Sequence, residues 1–369
     1  MSFFKRIFNI SWQQMQAKVR YRLLILTLLP ILLTLVSLVF ITIYWNISYT
    51  SQQLFMKVKA DLTVAENTLE QVQNRQEQQL VHVANSWAFQ TAFKQLLQDK
   101  NNQQARKTIS QVLNQTKQQL SLDFLRVVSA DQVNNDTDLS ALLRKKTKSP
   151  SSGVMVLSPK RLKEIDSQLA QYAIIDLKTT QRALEPTKAQ EKRGLVSRSV
   201  LPIINPDSSV TWYLDGGNLL NRDTAIVDYI RNLVYDKGTL PELSIGTVTV
   251  FLDNVRVSTN VPMNASSSQY SDQNRALGTL VSEEVRQKVL LEGQPWIDRA
   301  FVFNDWYISA YAPLLDIYGK RIGMVYTGFS EGPFINNYLL NIIELGSILM
   351  LVLFISGLLV YRGAYSLLK

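Results

Sequence analysis

Two uninterrupted apolar stretches lie near the ends of the chain. Leu23–Trp45 contains no charged residue, and Tyr338–Tyr361 contains only one, Glu344. About 20 apolar residues are enough for a helix to cross the hydrocarbon core of a bilayer, and Tyr44 and Trp45 suit the membrane–water interface. The pattern therefore predicts two transmembrane helices. We expect Glu344 to lie either at the interface or against a partner helix.

A helical period follows the first apolar stretch. Its apolar positions are Leu54, Val58, Leu62, Ala65, Leu69, Val72, Leu80, Val83 and Trp87, with polar Gln76 filling one turn. This spacing predicts one long helix over 45–97, and a second helix is expected over 103–120. The narrow apolar stripe fits either the seam of a parallel dimer or packing against the chain's own domain.

Beyond residue 121 the pattern changes to short strands, which indicates an α+β fold. The predicted elements of the first part are strands over 122–129, 195–204 and 209–214, a turn at Gly216-Gly217, an exposed loop over 144–153, a helix over 162–172 and a linking helix over 223–235. The second part is expected to contain a hairpin over 247–258 with an Asp253-Asn254 turn, a helix from Ser282, and strands over 299–303, 306–315 and 320–328. That order predicts a five-stranded antiparallel sheet with helices on one face.

Composition removes several classes of chemistry. The chain has no Cys and a single His, His82, which excludes disulfides, a thiol nucleophile, Cys-based zinc sites and multi-histidine metal sites. No phosphate-binding loop, dinucleotide fingerprint or nucleophile elbow occurs. We therefore expect a chain that is not an enzyme and binds no metal or cofactor. His82 is expected on the helix surface or in a dimer seam.

The net charge of +9 is concentrated at the ends of the chain. Residues 1–22 carry five basic side chains and no acidic one, and Arg362 and Lys369 follow the second apolar stretch. The positive-inside rule then predicts that both termini are cytoplasmic and that 46–337 is extracytoplasmic. Basic and acidic residues nearly balance in that central segment, so nucleic acid is not an expected partner.

Several segments resemble a known family of sensor domains. The runs TVTVFLDNVRVSTNVP (247–262), RALGTLVSEEV (275–285), WIDRAFVFNDWYISAYAPLLD (296–316) and RIGMVYTGF (321–329) resemble the membrane-proximal half of bacterial double Cache sensors, which are PAS-like extracytoplasmic domains. The segments VRYRLLILTLLPILL (19–33), RGLVSRSVLPI (193–203) and WYLDGGNLLN (212–221) are similar to a branch found on transmembrane sensor histidine kinases. The resemblance implies a homodimeric sensor that binds a small molecule.

Together these observations predict a long membrane-emergent helix and two PAS-like Cache units flanked by two transmembrane helices. The expected divisions are a basic leader (1–22), a first span (23–45), a helical stalk (46–121), a membrane-distal Cache unit (122–222), a linker helix (223–244), a membrane-proximal Cache unit (245–330), a second span (338–361) and the start of a HAMP or output region (362–369). The chain ends before any kinase motif, so we expect it to be the input half of an inner-membrane histidine kinase. A chemoreceptor, a diguanylate cyclase and a periplasmic docking module are the alternatives.

Ligand-binding candidates are polar and aromatic side chains on the predicted strands. In the proximal unit they are Arg256, Arg299, Asp305, Trp306, Tyr307 and Tyr311; in the distal unit they are Trp212 and Asp215, with Arg126, Arg198 and Tyr213 as further candidates. An arginine can hold a carboxylate with two parallel hydrogen bonds, and an aromatic ring can cover an amine. These residues favour a carboxylate or an amino acid as the ligand. Alternatively, aromatic strand faces of this kind simply form the core.

Overall fold

The computed structural model describes residues 19–98, 102–145, 149–205, 209–263 and 274–367, which fall into two compact units. The terminal unit comprises the chain up to Leu54 together with the chain from Gly332 onward. The central unit comprises Phe55–Glu331. Residues 1–18 of the predicted basic leader (1–22) lie outside the described residues.

The terminal unit consists of two helices that are long and apolar enough to cross a membrane. They are the first part of α1 (Val19–Asn85) and α10 (Gly332–Leu367). The two predicted spans lie inside these helices, and α10 extends beyond the predicted span at both ends. Within this unit the Tyr338 hydroxyl lies 3.4 Å from the carbonyl oxygen of Ile43.

The stalk is not one continuous helix to residue 97, as the periodicity predicted. Helix α1 ends at Asn85, and the chain continues as α2 (Trp87–Gln98) and α3 (Gln103–Gln119). At the break, the Ser86 hydroxyl donates to the Val83 carbonyl oxygen at 2.8 Å. Within α2, Phe89 and Phe93 are one turn apart and stack with ring centroids 5.5 Å apart. The apolar spacing continues across Ser86, so the sequence pattern did not show the break.

The distal sheet is antiparallel and has the strand order β1-β6-β5-β2. Its elements in chain order are β1 (Phe124–Ser129), α4 (Ala130–Asn135), α5 (Thr137–Lys145), β2 (Ser151–Leu157), α6 (Pro159–Ile165), α7 (Ser167–Tyr172), the short pair β3 (Ile175–Asp176) and β4 (Gln190–Glu191), β5 (Gly194–Ile204) and β6 (Val210–Leu219). One face packs against the end of α1, α2 and α3. The other face packs against α4 to α7.

Three distal predictions were wrong in detail. Gly216-Gly217 is not a turn but lies in the middle of β6, because it is paired with β1 and β5 on both sides. The expected loop over 144–153 instead contains the end of α5 and the start of β2, and its residues 146–148 lie outside the described residues. The expected helix over 162–172 is two helices, because Asp166 is extended and caps α7 through its side chain.

Helix α8 (Thr224–Val234) connects the two sheets, shorter than the linker helix expected over 223–244. The proximal sheet follows the predicted hairpin, helix and three-strand order. Its elements are β7 (Gly246–Leu252), β8 (Val255–Thr259), α9 (Glu283–Arg286) continued by a π-helical turn (Gln287–Leu291), β9 (Trp296–Val302), β10 (Asp305–Leu315) and β11 (Arg321–Ser330). The sheet is antiparallel with the order β8-β7-β11-β10-β9. The predicted α+β fold class is therefore confirmed.

The apolar stripe of α1 is buried within the chain itself. The buried members are Val58, Leu62, Ala65, Leu69, Leu80 and Val83. Near Val58 the helix approaches β11, whose Thr327 hydroxyl lies 3.5 Å from the Val58 carbonyl oxygen. Packing against the chain's own sheets thus accounts for the stripe, whereas Trp87 is 83% exposed. The homodimer remains a prediction, and His82 lies on the exposed surface of α1.

The adjacent glycines of β6 provide a test of the distal sheet. A Cβ on Gly217 would lie 2.2 Å from the Ser197 carbonyl oxygen, whereas a Cβ on Gly216 would meet mainly the flexible ends of Leu125 and Leu80. Backbone cannot move as readily as a side chain, so we expect Gly217→Ala to lower the free energy of unfolding by about 2–4 kcal/mol and Gly216→Ala by about 1 kcal/mol or less. Urea unfolding of both variants measures this difference. Equal losses would contradict the close approach of β5 to Gly217.

Candidate functional site

Three charged side chains lie on one face of the distal sheet. Arg126 of β1 is directly opposite Asp215 of β6, and Arg198 of β5 is opposite Gly217 of β6. Because side chains on a strand alternate between faces, Asp215 and Gly217 share a face. The absence of a side chain at Gly217 leaves space beside Arg198. Strand pairing therefore places two arginines around one carboxylate.

Arg198 and Asp215 form a fully buried ion pair. The guanidinium donates from Nε to Oδ1 and from Nη2 to Oδ2, both at 2.7 Å, and Arg126 Nε donates to Oδ2 at 2.8 Å. The side chains of Arg198 and Asp215 are 1% and 0% exposed. Burial alone would raise the pKa of Asp215, but the charges and hydrogen bonds of Arg198 and Arg126 lower it below its usual value. The carboxylate is therefore ionised at neutral pH.

Helices α4 to α6 add a second set of charges above this pair. Asp136 caps α5 by accepting from the Leu139 amide, and it accepts from Arg161 Nη2 at 2.6 Å. Arg161 also binds Glu164 at 2.8 Å. The Asp136 carboxylate lies 3.6 Å from Arg198 Nη2. Sheet and helices are thus joined by one chain of alternating charges.

A cavity of about 270 Å³ opens between these two layers. Its lining residues are Arg126, Val128, Gln132, Asn135, Asp136, Leu139, Arg161, Glu164, Ile165 and Arg198. The side chains of Arg126 and Arg161 are 31% and 33% exposed, so both can donate to a molecule in the cavity. Donors for a carboxylate and acceptors for an ammonium group therefore face the same space.

The structure separates the proximal candidates into two groups. Tyr307 and Tyr311 lie on the inner face of the sheet with Arg256, all at most 4% exposed. Tyr326, which the sequence analysis missed, is paired with Tyr311 across β10 and β11, with ring centroids 4.6 Å apart. The aromatic partner was detectable in principle, because Tyr326 lies on the predicted strand over 320–328. These residues form the proximal interior.

The other proximal candidates lie outside that interior. The Trp306 ring is covered by the guanidinium groups of Arg182 and Arg299, whose Cζ atoms lie 4.7 and 5.0 Å from the ring centroid. Arg299 also pairs with Glu331 at 2.8 Å. Asp305 is exposed and accepts from the Trp306 amide. Arg299, Asp305 and Trp306 are therefore not positioned to bind the same ligand as Arg256.

The distal candidates are also divided between the two faces. Asp215, Arg126 and Arg198 contribute to the charged cluster, and Tyr213 packs at the edge of the core on the same face. Trp212 instead packs edge-on against Phe93, at a centroid distance of 6.4 Å, on the face covered by the stalk helices. Sequence reasoning missed Arg161 and Asp136, because they are in short helices whose position over the sheet depends on tertiary packing.

A larger cleft of about 670 Å³ lies between α7 and β8, but its arginines are already engaged. Arg275 binds Asp228 at 2.7 Å, and Arg222 donates to the Ile174 carbonyl oxygen at 2.7 Å. In the described residues, no group of histidine and acidic side chains could hold a metal ion. The charged distal cavity is therefore the candidate site.

One part of the chain, which includes the proximal sheet, is similar to a known protein family. Residues 218–339 match the family described as Single cache domain 3, which covers the end of β6 through the proximal sheet. This match confirms the Cache prediction for the proximal unit, whereas most of the distal sheet lies outside it. No curated protein matches the chain.

Three solved structures are similar at low identity. The periplasmic domain of LuxQ from Vibrio cholerae has 11% identity and a TM-score of 0.34, with 76% of this chain and 99% of that chain covered. The sensor domain of the V. cholerae histidine kinase DctB has 10% identity and a TM-score of 0.37, with 76% and 98% covered. A domain assigned to a sensory box/GGDEF family protein from Vibrio parahaemolyticus has 8% identity and a TM-score of 0.33, with 78% and 98% covered.

The buried pair predicts a large and pH-dependent effect of removing its acid. Asp215→Asn leaves the buried Arg198 without its principal counter-charge, so we expect the free energy of unfolding to fall by about 3–5 kcal/mol at pH 7. The lowered pKa of Asp215 stabilises the fold fully above about pH 4, and this contribution is lost as the pH falls through the folded-state pKa. The difference between wild type and variant should therefore shrink in acid. Urea unfolding between pH 3 and 7 tests this; a constant difference would contradict it.

Proposed function

We propose that the chain is the ligand-sensing and transmembrane signalling region of a sensor histidine kinase of the bacterial inner membrane, with 46–337 outside the cytoplasm and both termini inside. The Cache match over 218–339 and the two helices of membrane-spanning length support a membrane-anchored sensor. The basic residues outside the two apolar stretches support the orientation. In our proposal the receptor acts as a homodimer.

The charged distal cavity is the single observation that carries the sensing role. Arg126 and Arg161 are held at its wall by Asp215 and Asp136, and both remain partly exposed. A carboxylate entering the cavity would receive charge-assisted hydrogen bonds from these arginines. An ammonium group on the same ligand would find Asp136 or Glu164. A small carboxylate or amino acid therefore fits the site best.

Such a ligand would act by favouring one arrangement of the receptor. The cavity lies between the sheet and helices α4 to α6, so a ligand that contacts Arg126 of the sheet and Arg161 of α6 bridges the two layers. Only a difference in affinity between two arrangements can shift their populations. In our proposal the ligand favours the arrangement described here, because Arg126 and Arg161 face the same cavity in it.

The predicted ligand site can be tested by comparing substitutions of two neighbouring basic side chains of α6, Arg161 and Lys160. We expect an amino acid or small carboxylate to raise the Tm of the full chain in detergent by about 2–4 °C at saturation, because binding stabilises the folded state. Arg161→Gln should abolish this shift, whereas Lys160→Gln, which removes an exposed charge from the same helix, should retain it. Differential scanning fluorimetry with a panel of amino acids, mono- and dicarboxylates and amines measures both. A shift that is unchanged in Arg161→Gln, or absent for every compound, would refute the distal site.

The orientation can be tested cleanly because the chain has no native cysteine. We expect Lys237→Cys, in an exposed turn after α8, to react with a membrane-impermeant maleimide in intact spheroplasts. Ser2→Cys should react only after lysis. Labelling is read as a mass shift on a gel. The reverse pattern would overturn the proposed topology while leaving the ligand test unaffected.

A further inference from the structure

A second arginine is buried in the proximal interior without an acidic partner. Arg256 is 1% exposed, and its Nη1 donates a hydrogen bond to the Thr279 hydroxyl. Its Nε atom is buried and has no hydrogen-bond partner. Among the residues that the structure describes, no carboxylate pairs with this guanidinium. Arg198, by contrast, binds Asp215 with two hydrogen bonds.

The surroundings of Arg256 are aromatic and rich in hydroxyl groups. The guanidinium Cζ lies 5.0 Å from the centre of the Phe251 ring, and Tyr307, Tyr311 and Tyr326 are close enough to interact with its charge. Further buried hydroxyls lie on the same face of β7 and β8, including the Thr249–Thr259 pair at 2.6 Å. Hydroxyl groups can donate to an anion, but they cannot neutralise a guanidinium.

An isolated charge in such an interior is costly. Burial lowers the pKa of Arg256, yet an arginine stays protonated in proteins. Transfer of an unpaired charge out of water carries a large free-energy penalty. A fold that keeps a fully buried guanidinium therefore requires compensation, and the described side chains do not supply it. A bound anion would supply both the missing charge and an acceptor for Nε.

We infer that the proximal Cache unit binds a small monovalent anion, a halide or a short carboxylate such as formate, at Arg256. The close packing of the Tyr311 and Tyr326 rings, 4.6 Å apart, favours a small anion over an extended ligand. This site is separate from the distal cavity, and the inference does not rest on the proposed sensing of carboxylates or amino acids there. Through this site the receptor would respond to a second signal, the concentration of small anions outside the cytoplasm.

The test measures the Tm of the full chain in detergent in sodium gluconate, with chloride or formate replacing gluconate at constant ionic strength. We expect Tm to rise by about 2–4 °C between 0 and 200 mM of a bound anion. Arg256→Met should have no such dependence and should be at least as stable as wild type in gluconate, because the uncompensated charge is gone. Arg286→Met, which removes a half-exposed guanidinium of the same unit, should retain the response.

Crystals grown in bromide provide a direct readout that does not depend on a variant folding. An anomalous peak beside Arg256 Nε, lost on exchange into gluconate, would support the site. No anion-specific change in Tm, or an equal response in Arg256→Met, would overturn it. Arg161→Gln should leave the anion response intact. A negative result for the distal site would therefore not count against the anion site, and the reverse also holds.

Discussion

Burial of one face of α1 is the interaction on which the central unit depends. The same helix packs near β11 at Val58 and belongs to the distal core at Leu80 and Val83. Between these stretches, buried Gln76 accepts from the Ser197 hydroxyl and donates to Asn218, both at 2.8 Å. A polar side chain on an otherwise apolar stripe costs free energy unless it is satisfied. Here it fixes the axial position of the helix against β5 and β6.

The two sheets differ in the partners that surround a buried arginine. In the distal sheet, Arg198 is matched by Asp215 and linked through Asp136 to the helices above it. In the proximal sheet, Arg256 is enclosed by rings and hydroxyl groups. Breaking a buried pair is costly because it strands a charge, and an unmatched charge has the same cost from the outset. The distal arginines thus face a cavity with their counter-charges in place, whereas the proximal guanidinium is enclosed without a carboxylate among the described residues.

Local pattern was sufficient for much of this architecture. The alternation on β7 to β11 and the Asp253-Asn254 turn specified the proximal sheet, because a hairpin and three adjacent strands can be joined by short connections in few ways. Gly216-Gly217 was misinterpreted because glycine usually marks turns; here Gly217 serves the close approach of Ser197. The break at Ser86 was hidden because both helices continue the same apolar spacing.

The residues of the candidate site could be predicted from the sequence only in part, for a physical reason. Arg126, Arg198 and Asp215 were recognised as candidates because they interrupt apolar strands, and strand pairing brings them together. Arg161 and Asp136 have no such signal, since polar residues on short helices are ordinarily solvated. Conversely, Arg299 and Trp306 met the same criterion of polar and aromatic character, yet the Trp306 ring lies outside the proximal interior, covered by Arg182 and Arg299. Strand alternation indicated two faces but not which face would enclose a cavity.

Helix α1 is also anchored to the proximal sheet, close to where it enters the central unit at Phe55. Where α1 contacts the proximal sheet, its Lys57 binds Asp61 at 3.0 Å and lies over the rings of Tyr235 and Phe329. Tyr235 follows α8, and Phe329 is near the end of β11, two residues before Glu331 closes the central unit. Burial raises the pKa of Asp61, while Lys57 opposes that change. Closely packed rings and a partly buried ion pair resist gradual deformation, so this cluster fixes the start of the central unit's part of α1 against the end of β11.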